Sequence, residues 1–242
     1  MSALTDRPAA LTKGEQKRAV IIDAALALFE ERGFEASTMR AIAERAEVSV
    51  GNAYYYFDSK EALIQAFYDR AAAEHQRRAD VELDGVTDLM ERATLNLLAW
   101  VDEMSGFHEF AGVFLRTASD PSSPLSPFSN ESAPARELAI DGWRRVVDGA
   151  EIELSDEVSG ELPQLLWLFQ MGVVLFWVHD RSEATAATRL LIERTVPLLI
   201  RGVEFSALPI VREVVTDLVG LIGDLRSMQA AATGPSTGVI ES

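Results

Sequence analysis

The sequence predicts an all-α protein with an N-terminal three-helix bundle and a larger C-terminal helical region. Apolar residues recur with the 3.6-residue period of a helix from about residue 15 to about residue 228, and no segment has the alternation of a strand. Two short helical segments between residues 37 and 57 are separated by a tight turn, which predicts a helix-turn-helix unit. Four prolines between residues 119 and 134 mark a long loop in the C-terminal region.

Length and composition bound the class of protein. With 242 residues, the chain is long enough for a sizeable core in one or two domains. It contains no cysteine, which excludes disulfides and thiolate metal sites and fits a reducing cytosol. The N-terminal residues 1–13 lack the apolar run of a signal peptide. We therefore expect a cytoplasmic protein.

One segment, residues 162–178, is uncharged over 17 residues, of which 13 are apolar. It could be a membrane span or a helix buried on all sides. A membrane-spanning helix usually needs about 20 predominantly apolar residues, and this segment contains Pro163, Gln164 and Gln170. The composition favours the buried helix and no membrane.

The net charge of −16 would by itself argue against a nucleic-acid partner, but the charge is unevenly distributed. Residues 1–60 carry 8 Lys and Arg against 9 Asp and Glu, whereas residues 61–242 carry 14 against 29. All three lysines, Lys13, Lys17 and Lys60, lie in the near-neutral part. The N-terminal region can therefore face phosphate locally, although bulk electrostatics will not hold DNA tightly.

The segment 37–61 organises the chain. Ser37 or Thr38 can cap a first short helix, and Ser49 can cap a second one that is about two turns long. Asp58 with a glutamate three residues later predicts a capping box that opens a long helix at residue 59 or 60. The expected inward residues have the spacing of a helical face: Met39, Ile42, Ala43, Ala53 and Phe57. A helix this short between two caps is suited to being presented to a surface.

These residues resemble a known family. The run from Ser49 to Glu61, Ser-Val-Gly-Asn-Ala-Tyr-Tyr-Tyr-Phe-Asp-Ser-Lys-Glu, is similar to the recognition-helix signature of the tetracycline-repressor (TetR) family of bacterial regulators. The segment upstream is similar to that family's first helix through Ala24, Ala25, Phe29, Gly33, Phe34 and Thr38. The resemblance covers about residues 15–65. We accordingly expect a flexible arm (1–13), a helix-turn-helix DNA-binding domain (14–60), an effector-binding and dimerisation domain (61–229) and a disordered tail (230–242).

The resemblance implies roles for individual residues in binding duplex DNA. Tyr54 and Lys60 would contact backbone phosphates, as would the hydroxyls of Thr38 and Ser49 with their helix-start amides. The groups left for base edges in the major groove are Arg40, Val50, Gly51, Asn52 and Tyr55. Of these, Asn52 can pair bidentately with adenine. Val50 stands where the family often has a basic residue, which implies fewer charged contacts.

A plain structural hairpin is the alternative interpretation of this segment. It would place its tyrosines in a core. Tyr54, Tyr55 and Tyr56 are consecutive, however, so on a helix they point about 100° apart and at least one faces outward. The tyrosine run therefore favours a contact surface.

The remaining helices follow from periodicity and caps. A helix from about Glu15 should end at Gly33, and the helix that opens at residue 59 should run to about Ala79 and join the two parts of the chain. Further helices are expected at about residues 86–104, 107–118, 135–150, 156–180, 183–205 and 209–228.

The sequence lacks the usual signatures of catalysis. His75, His108 and His179 are widely separated without metal-type spacing and are interpreted as surface or capping residues. There is no nucleophile elbow, no phosphate-binding glycine loop and no paired-carboxylate signature. We therefore predict no enzyme activity, no cofactor and no metal site. A helical enzyme would need clustered polar groups in a cavity.

Aromatic residues are concentrated in the central helices, and each can belong to the core or to a pocket. TetR-like proteins hold an effector cavity among these helices, so the resemblance implies that the group lines one. We assign nine residues to effector binding: Trp100, Met104, Phe107, Phe110, Phe114, Trp143, Trp167, Gln170 and Met171. An aromatic cavity with few charges implies an apolar or aromatic small molecule.

The function predicted from these features is a ligand-responsive transcriptional regulator, a repressor, that binds a palindromic operator as a dimer and is released by its effector. The ligand would change the angle of the helix that starts at residue 59. Homodimerisation is expected through residues 158–205, because residues 162–178 are apolar around the whole helix. In the alternative, the C-terminal region binds a protein partner. A solvent-open cavity would favour the small molecule and a solid core the protein partner.

Overall fold

The computed structural model describes residues 12–205, without the side chains of Glu109, Phe110, Val113 and Phe205. In this range the chain forms nine α-helices and no strand, which confirms the all-α prediction. The predicted helix at 209–228 and the predicted tail at 230–242 lie outside the described residues, as does the predicted arm up to residue 11. The helices are α1 (Lys13–Arg32), α2 (Met39–Arg45), α3 (Val50–Tyr56), α4 (Lys60–Glu82), α5 (Leu89–Met104), α6 (His108–Ala118), α7 (Ala133–Asp148), α8 (Asp156–His179) and α9 (Ala186–Phe205).

Helix α1 begins at Lys13, two residues before its predicted start. Thr12 accepts a hydrogen bond from the backbone N–H of Glu15 at 3.2 Å, and the Glu15 carboxylate accepts one from the Thr12 N–H at 2.8 Å. The bonds that the carboxylate accepts from the Thr12 N–H and the Thr12 hydroxyl lower the pKa of Glu15. The capping box fixes the first turn. The helix ends as predicted at Gly33, whose φ of 82° favours glycine.

The predicted capping box at the start of α4 is wrong. Ser59 is the N-cap, and its hydroxyl accepts a hydrogen bond from the Ala62 N–H at 3.1 Å. A serine at the N-cap satisfies a free helix amide directly, so Asp58 is not needed. At its other end α4 continues to Glu82, three residues beyond the predicted end.

Two apolar cores meet along α4. The N-terminal core includes α4 residues up to Phe67, whereas the C-terminal core begins on α4 with Ala79. The first turns of α4 therefore pack with α1–α3, past the predicted domain boundary at 60/61. Leu125 from the loop 119–132 also joins the N-terminal core and is fully buried. The loop thus connects the two parts of the chain a second time.

A buried arginine ties the C-terminal end of α4 to α7. Arg92 is 7% exposed and donates hydrogen bonds to the carbonyls of Leu83, Val86, Arg145 and Val146 at 2.5–3.2 Å. Burial lowers the pKa of Arg92. The four carbonyls belong to chain segments at helix ends, which need donors, so the guanidinium supplies them without a carboxylate partner.

Helices α8 and α9 expose part of their apolar surface. Helix α8 is the one helix in the described range that is long and apolar enough to cross a membrane, and 44% of its most apolar stretch is buried within the chain. Leu175 and Phe176 on α8 are 53% and 42% exposed, and Leu190 and Leu198 on α9 are 52% and 67% exposed. Apolar surface of this kind is typical of an interface.

Candidate nucleic-acid interface and candidate ligand cavity

The turn between α2 and α3 is a Schellman motif that fixes the angle of α3. The N–H of Val48 donates to the Ala43 carbonyl at 3.0 Å, and the N–H of Glu47 donates to the Glu44 carbonyl at 3.2 Å. Glu47 stands at the left-handed position with φ 54°, where glycine is usual. The predicted two-residue turn therefore forms, with a conformational cost at Glu47.

Capping side chains hold both short helices as the sequence predicts. Thr38 accepts a hydrogen bond from the Ala41 N–H at 3.2 Å, and Ser49 accepts one from the Asn52 N–H at 3.1 Å. Ser37, the alternative cap, is instead buried and donates to the carbonyls of Leu28 and Gly33. The expected inward residues are all buried: Met39, Ile42, Ala43, Ala53 and Phe57.

Helix α3 presents its outer side to solvent. Tyr55 is 81% exposed, Tyr54 is 49% exposed and Val50 is 40% exposed. Gly51 and Arg40 are also exposed, and Arg40 makes no ion pair within the described part of the chain. The predicted base-contacting residues are thus exposed, except that Asn52 is only half-exposed.

Two of the predicted DNA-contacting side chains, those of Asn52 and Lys60, are partly enclosed by the protein itself. The side-chain oxygen of Asn52 is shielded from solvent and has no hydrogen-bond partner in the described range, so a bidentate base contact requires the side chain to turn. The Lys60 ammonium donates to the Phe34 carbonyl at 2.6 Å and lies 4.4 Å from the centre of the Phe34 ring. Because an ammonium has three donors, a phosphate contact by Lys60 stays a prediction.

A cavity of about 220 Å³ lies among α4, α5, α6, α7 and α8. One water needs only about 10–15 Å³ measured in this way, so the space is large enough for a small molecule. Seven of the nine residues assigned to effector binding line it: Trp100, Met104, Phe107, Phe114, Trp167, Gln170 and Met171. The side chain of Phe110 lies outside the described part.

The assignment of Trp143 to the cavity is wrong. Trp143 is 1% exposed and packs in the C-terminal core behind the wall, where Gly142 stands instead. Its indole N–H donates to the Gln170 side-chain oxygen at 2.7 Å. A buried indole usually needs such a partner, and periodicity cannot tell which side of a buried helix holds it.

Helix α4 contributes a face of the cavity that sequence analysis did not assign. Its lining residues are Phe67, Tyr68, Ala71, Ala72, His75 and Gln76. Tyr68 packs its ring edge-on against Phe114 at 5.1 Å, and burial raises its pKa. The three-and-four spacing of these residues predicts a buried helical face, but it does not indicate that the face borders a cavity.

His75 is a wall residue, which corrects its interpretation as a surface or capping residue. Its Nε2 lies 2.9 Å from the Asn96 carbonyl, so Nε2 carries the proton and Nδ1 is an acceptor. Burial lowers the pKa of His75, partly opposed by this hydrogen bond. His108 is partly buried and bonds the Trp177 carbonyl at 2.7 Å, whereas His179 is exposed at the end of α8.

No cluster of three metal-ligating side chains occurs in residues 12–205. The polar side chains on the described cavity wall include three amides, Gln76, Asn96 and Gln170, of which Asn96 and Gln170 are buried. The indole N–H of Trp177, also on the wall, has no partner within the described range. These groups can bind a ligand by hydrogen bonds, and their chemistry is not that of a nucleophile with its base.

Helices α1–α3 form a three-helix unit in which α3, the second helix of the helix-turn-helix, is exposed. This arrangement is typical of DNA-binding proteins of the helix-turn-helix class. The model described as "Bacterial regulatory proteins, tetR family" matches residues 21–67. The model described as "Tetracyclin repressor-like, C-terminal domain" matches residues 92–220, more than half of the chain. The chain belongs to the TetR family.

Curated relatives match mainly over the DNA-binding part. The transcriptional repressor KstR of Rhodococcus jostii is 52% identical over 50 residues, 21% of this chain and 24% of that protein. The regulator UidR of Escherichia coli is 35% identical over 88 residues, 36% of this chain and 45% of that protein. The matches thus span less than half the length of these two relatives.

Solved structures match over most of the chain at low identity. The TetR regulator of Nitrosomonas europaea has a TM-score of 0.59 at 22% identity, covering 76% of this chain and 97% of that one. The regulator FadR of Bacillus subtilis, solved in complex with stearoyl-CoA, has a TM-score of 0.58 at 19% identity, covering 74% and 97%. These similarities establish the fold.

Proposed function

We propose that this protein is a cytoplasmic, ligand-responsive transcriptional repressor. It binds a palindromic operator through α2 and α3 as a homodimer, and an apolar or aromatic small molecule releases it. The observation that carries the proposal is the cavity, because α4 runs from the DNA-binding core directly along its wall. A ligand in the cavity contacts the same helix that supports the recognition unit.

Release follows from a difference in ligand affinity between two positions of α4. A ligand shifts the equilibrium only if it binds one state more tightly than the other. Phe67 belongs to the N-terminal core and also lines the cavity, so movement of the wall there displaces the bundle. Arg92 holds the far end of α4, which makes that end the fixed point of the rotation.

The dimer is proposed to form through α8 and α9. Leu175, Phe176, Leu190 and Leu198 leave an apolar surface that a second copy can cover. A contact between identical surfaces has two-fold symmetry, and two α3 helices related by that axis match the two halves of a palindrome. A two-turn helix reads only a few base pairs, so specificity requires both half-sites.

The alternatives are less well supported. A protein partner in place of a small molecule would be favoured by a solid C-terminal core, but this core contains a cavity. An enzyme would need clustered reactive groups on the wall. Aromatic and aliphatic side chains dominate the wall, with scattered amides between them. Binding, without catalysis, is the chemistry that this wall supports.

Selection of bound duplexes from random DNA tests the proposal. We expect an inverted repeat with half-sites about one helical turn apart, roughly 34 Å. The selected duplex then serves to screen small molecules for release. Failure to enrich any duplex at low salt would contradict DNA binding, whereas enrichment without release by any apolar compound would favour the protein-partner alternative.

A further inference from the structure

We propose that the cavity binds a small carboxylic acid, and that Arg136 binds the carboxylate of this ligand. The inference rests on the proposed function of the cavity and adds the chemical class of the effector. It changes the expected ligand from a purely apolar molecule to one with an apolar body and an anionic head.

The charge on the cavity wall is opposite in sign to that of the chain. The chain carries 38 Asp and Glu, yet none of the described residues that line the cavity is a carboxylate. Arg136 is the one permanently charged residue on the described wall. His75 adds no charge at neutral pH, because its pKa is lowered by burial. An anion entering this strongly acidic protein therefore meets a local positive potential.

In the part of the chain that the structure describes, one edge of the Arg136 guanidinium has no partner, and this edge has the shape that binds a carboxylate. Its Nη1 donates to the carbonyls of Pro127 at 2.7 Å and Ser129 at 3.0 Å, which uses both hydrogens of that nitrogen. Within residues 12–205 the hydrogen bonds of Arg136 come from Nη1 alone, and no carboxylate there forms an ion pair with it. The Nε–H and one Nη2–H lie parallel on one planar edge, and this pair of donors matches a carboxylate bidentately.

The remainder of the wall defines the body of the ligand. Trp100, Trp167, Trp177 and Met171 offer aromatic and thioether surface, against which a ring or a short hydrocarbon chain can pack. Helix α7 begins three residues before Arg136, so the positive end of its dipole adds to the charge at this end of the cavity. A ligand that satisfies both regions is an amphipathic acid.

A purely structural role for Arg136 is the alternative. The Nη1 bonds hold the loop at residues 127–129, and this role alone could explain why an arginine stands there. The two roles use different edges of the guanidinium. A structural arginine predicts no preference for acids over neutral analogues of the same shape.

The test compares matched pairs of carboxylic acid and primary amide, for example 1-naphthaleneacetic acid with its amide and decanoic acid with decanamide. Binding is measured by quenching of the tryptophan fluorescence, because three of the four tryptophans line the cavity. The chains are the native protein, Arg136→Gln, and Arg144→Gln as control. Arg144 lies on the same helix, is exposed and pairs with Asp141 at the surface.

We expect the native protein and the Arg144→Gln control to bind at least one acid tenfold or more tightly than its amide. In Arg136→Gln the ratio of acid affinity to amide affinity should fall to near one, while the affinity for the amide is retained. Equal binding of acids and amides by the native protein would overturn the inference and leave the proposed function intact. An acid preference that survives in a folded Arg136→Gln would also overturn it. Quenching by neither member of any pair would count against the cavity as an effector site.

Discussion

The indole N–H of Trp143 donates a hydrogen bond to the side-chain oxygen of Gln170 at 2.7 Å, and both residues are at least 96% buried. The bond joins α7 to α8 inside the C-terminal core. It fixes the orientation of the Gln170 amide, because an indole can only donate and therefore selects the amide oxygen. The NH₂ group of Gln170 is thereby left as a donor for the cavity.

Changes on α3 should separate phosphate contacts from base contacts. Tyr54→Phe removes only the hydroxyl, and we expect it to weaken binding to all duplexes by a similar factor, because phosphate contacts carry no sequence information. Asn52→Ala should instead relax the preference at one position of each half-site. Titration of native and single-base-substituted operators distinguishes the two. A sequence-selective loss in Tyr54→Phe would contradict its assignment to phosphate.

Glycine at position 47 should stabilise the protein. Glu47 adopts φ 54° at the end of α2, where an L-residue is strained and glycine is not. We expect Glu47→Gly to raise the free energy of unfolding by about 0.5–1 kcal/mol. The matched control is Glu44→Gly, which lies within α2 and should lower it by about 1 kcal/mol. Equal losses in the two variants would show that the turn is not strained.

Alanine at position 149 should destabilise the end of α7. A Cβ there would lie 2.2 Å from Nη2 of Arg92, whose guanidinium is held by four carbonyls and cannot move away freely. We expect Gly149→Ala to cost about 1–3 kcal/mol in chemical unfolding. Gly112→Ala is the control, because a Cβ at Gly112 meets nothing within 4 Å. Similar effects in both would mean that helix propensity, and not the arginine, decides the outcome.

Asp180 should make the corner between α8 and α9 sensitive to acid. Its burial would raise its pKa, but hydrogen bonds from Ser182 and Thr188 outweigh this and hold the pKa at about 2. The folded pKa is below the ordinary value, so the stabilisation is present above about pH 4 and is lost as pH falls toward 2.

We therefore expect Asp180→Asn to be less stable than the native protein at pH 7, by about 1.5–3 kcal/mol for bonds to a charged group. The difference should shrink between pH 4 and 2 in thermal unfolding. Glu153→Gln, on the exposed approach to α8, is the control and should show no such convergence. A constant difference across this range would contradict the role of the carboxylate charge.

A charge on the exposed face of α8 should disrupt the proposed dimer. Leu175 is 53% exposed, so Leu175→Arg perturbs the surface without filling the core. We expect monomers or aggregates in sedimentation and a parallel loss of operator binding. Val81→Arg replaces an apolar residue that is 77% exposed on α4 and should leave the oligomeric state unchanged. A monomeric native protein that still binds a palindrome tightly would contradict the dimer.

Local patterns in the sequence were sufficient for the helices and for the recognition unit. The caps Thr38 and Ser49 and the four-residue spacing of Ala53 and Phe57 act within one or two turns, so the residues themselves determine those contacts. The same holds for the all-α class and for the TetR resemblance of the N-terminal part. The predicted start of α4 at residue 59 or 60 is confirmed, and only its cap was wrong, because Asp58 and Ser59 are adjacent and both residue types can cap a helix.

Only the tertiary structure decided which buried side chains face a cavity and which face a core. Trp143 and Trp167 both stand at apolar positions of a predicted helix, yet Trp143 lies behind the cavity wall and Trp167 lies on it. Leu125 lies in a loop by composition but is buried in the core of the N-terminal bundle. Arg136 belongs to a cavity wall whose described residues include no carboxylate, in a protein of net charge −16. Helical periodicity predicts that a residue is buried. It does not predict which residues pack against it, because those come from distant parts of the chain. Which surfaces those partners leave open depends on how α4 to α8 pack together.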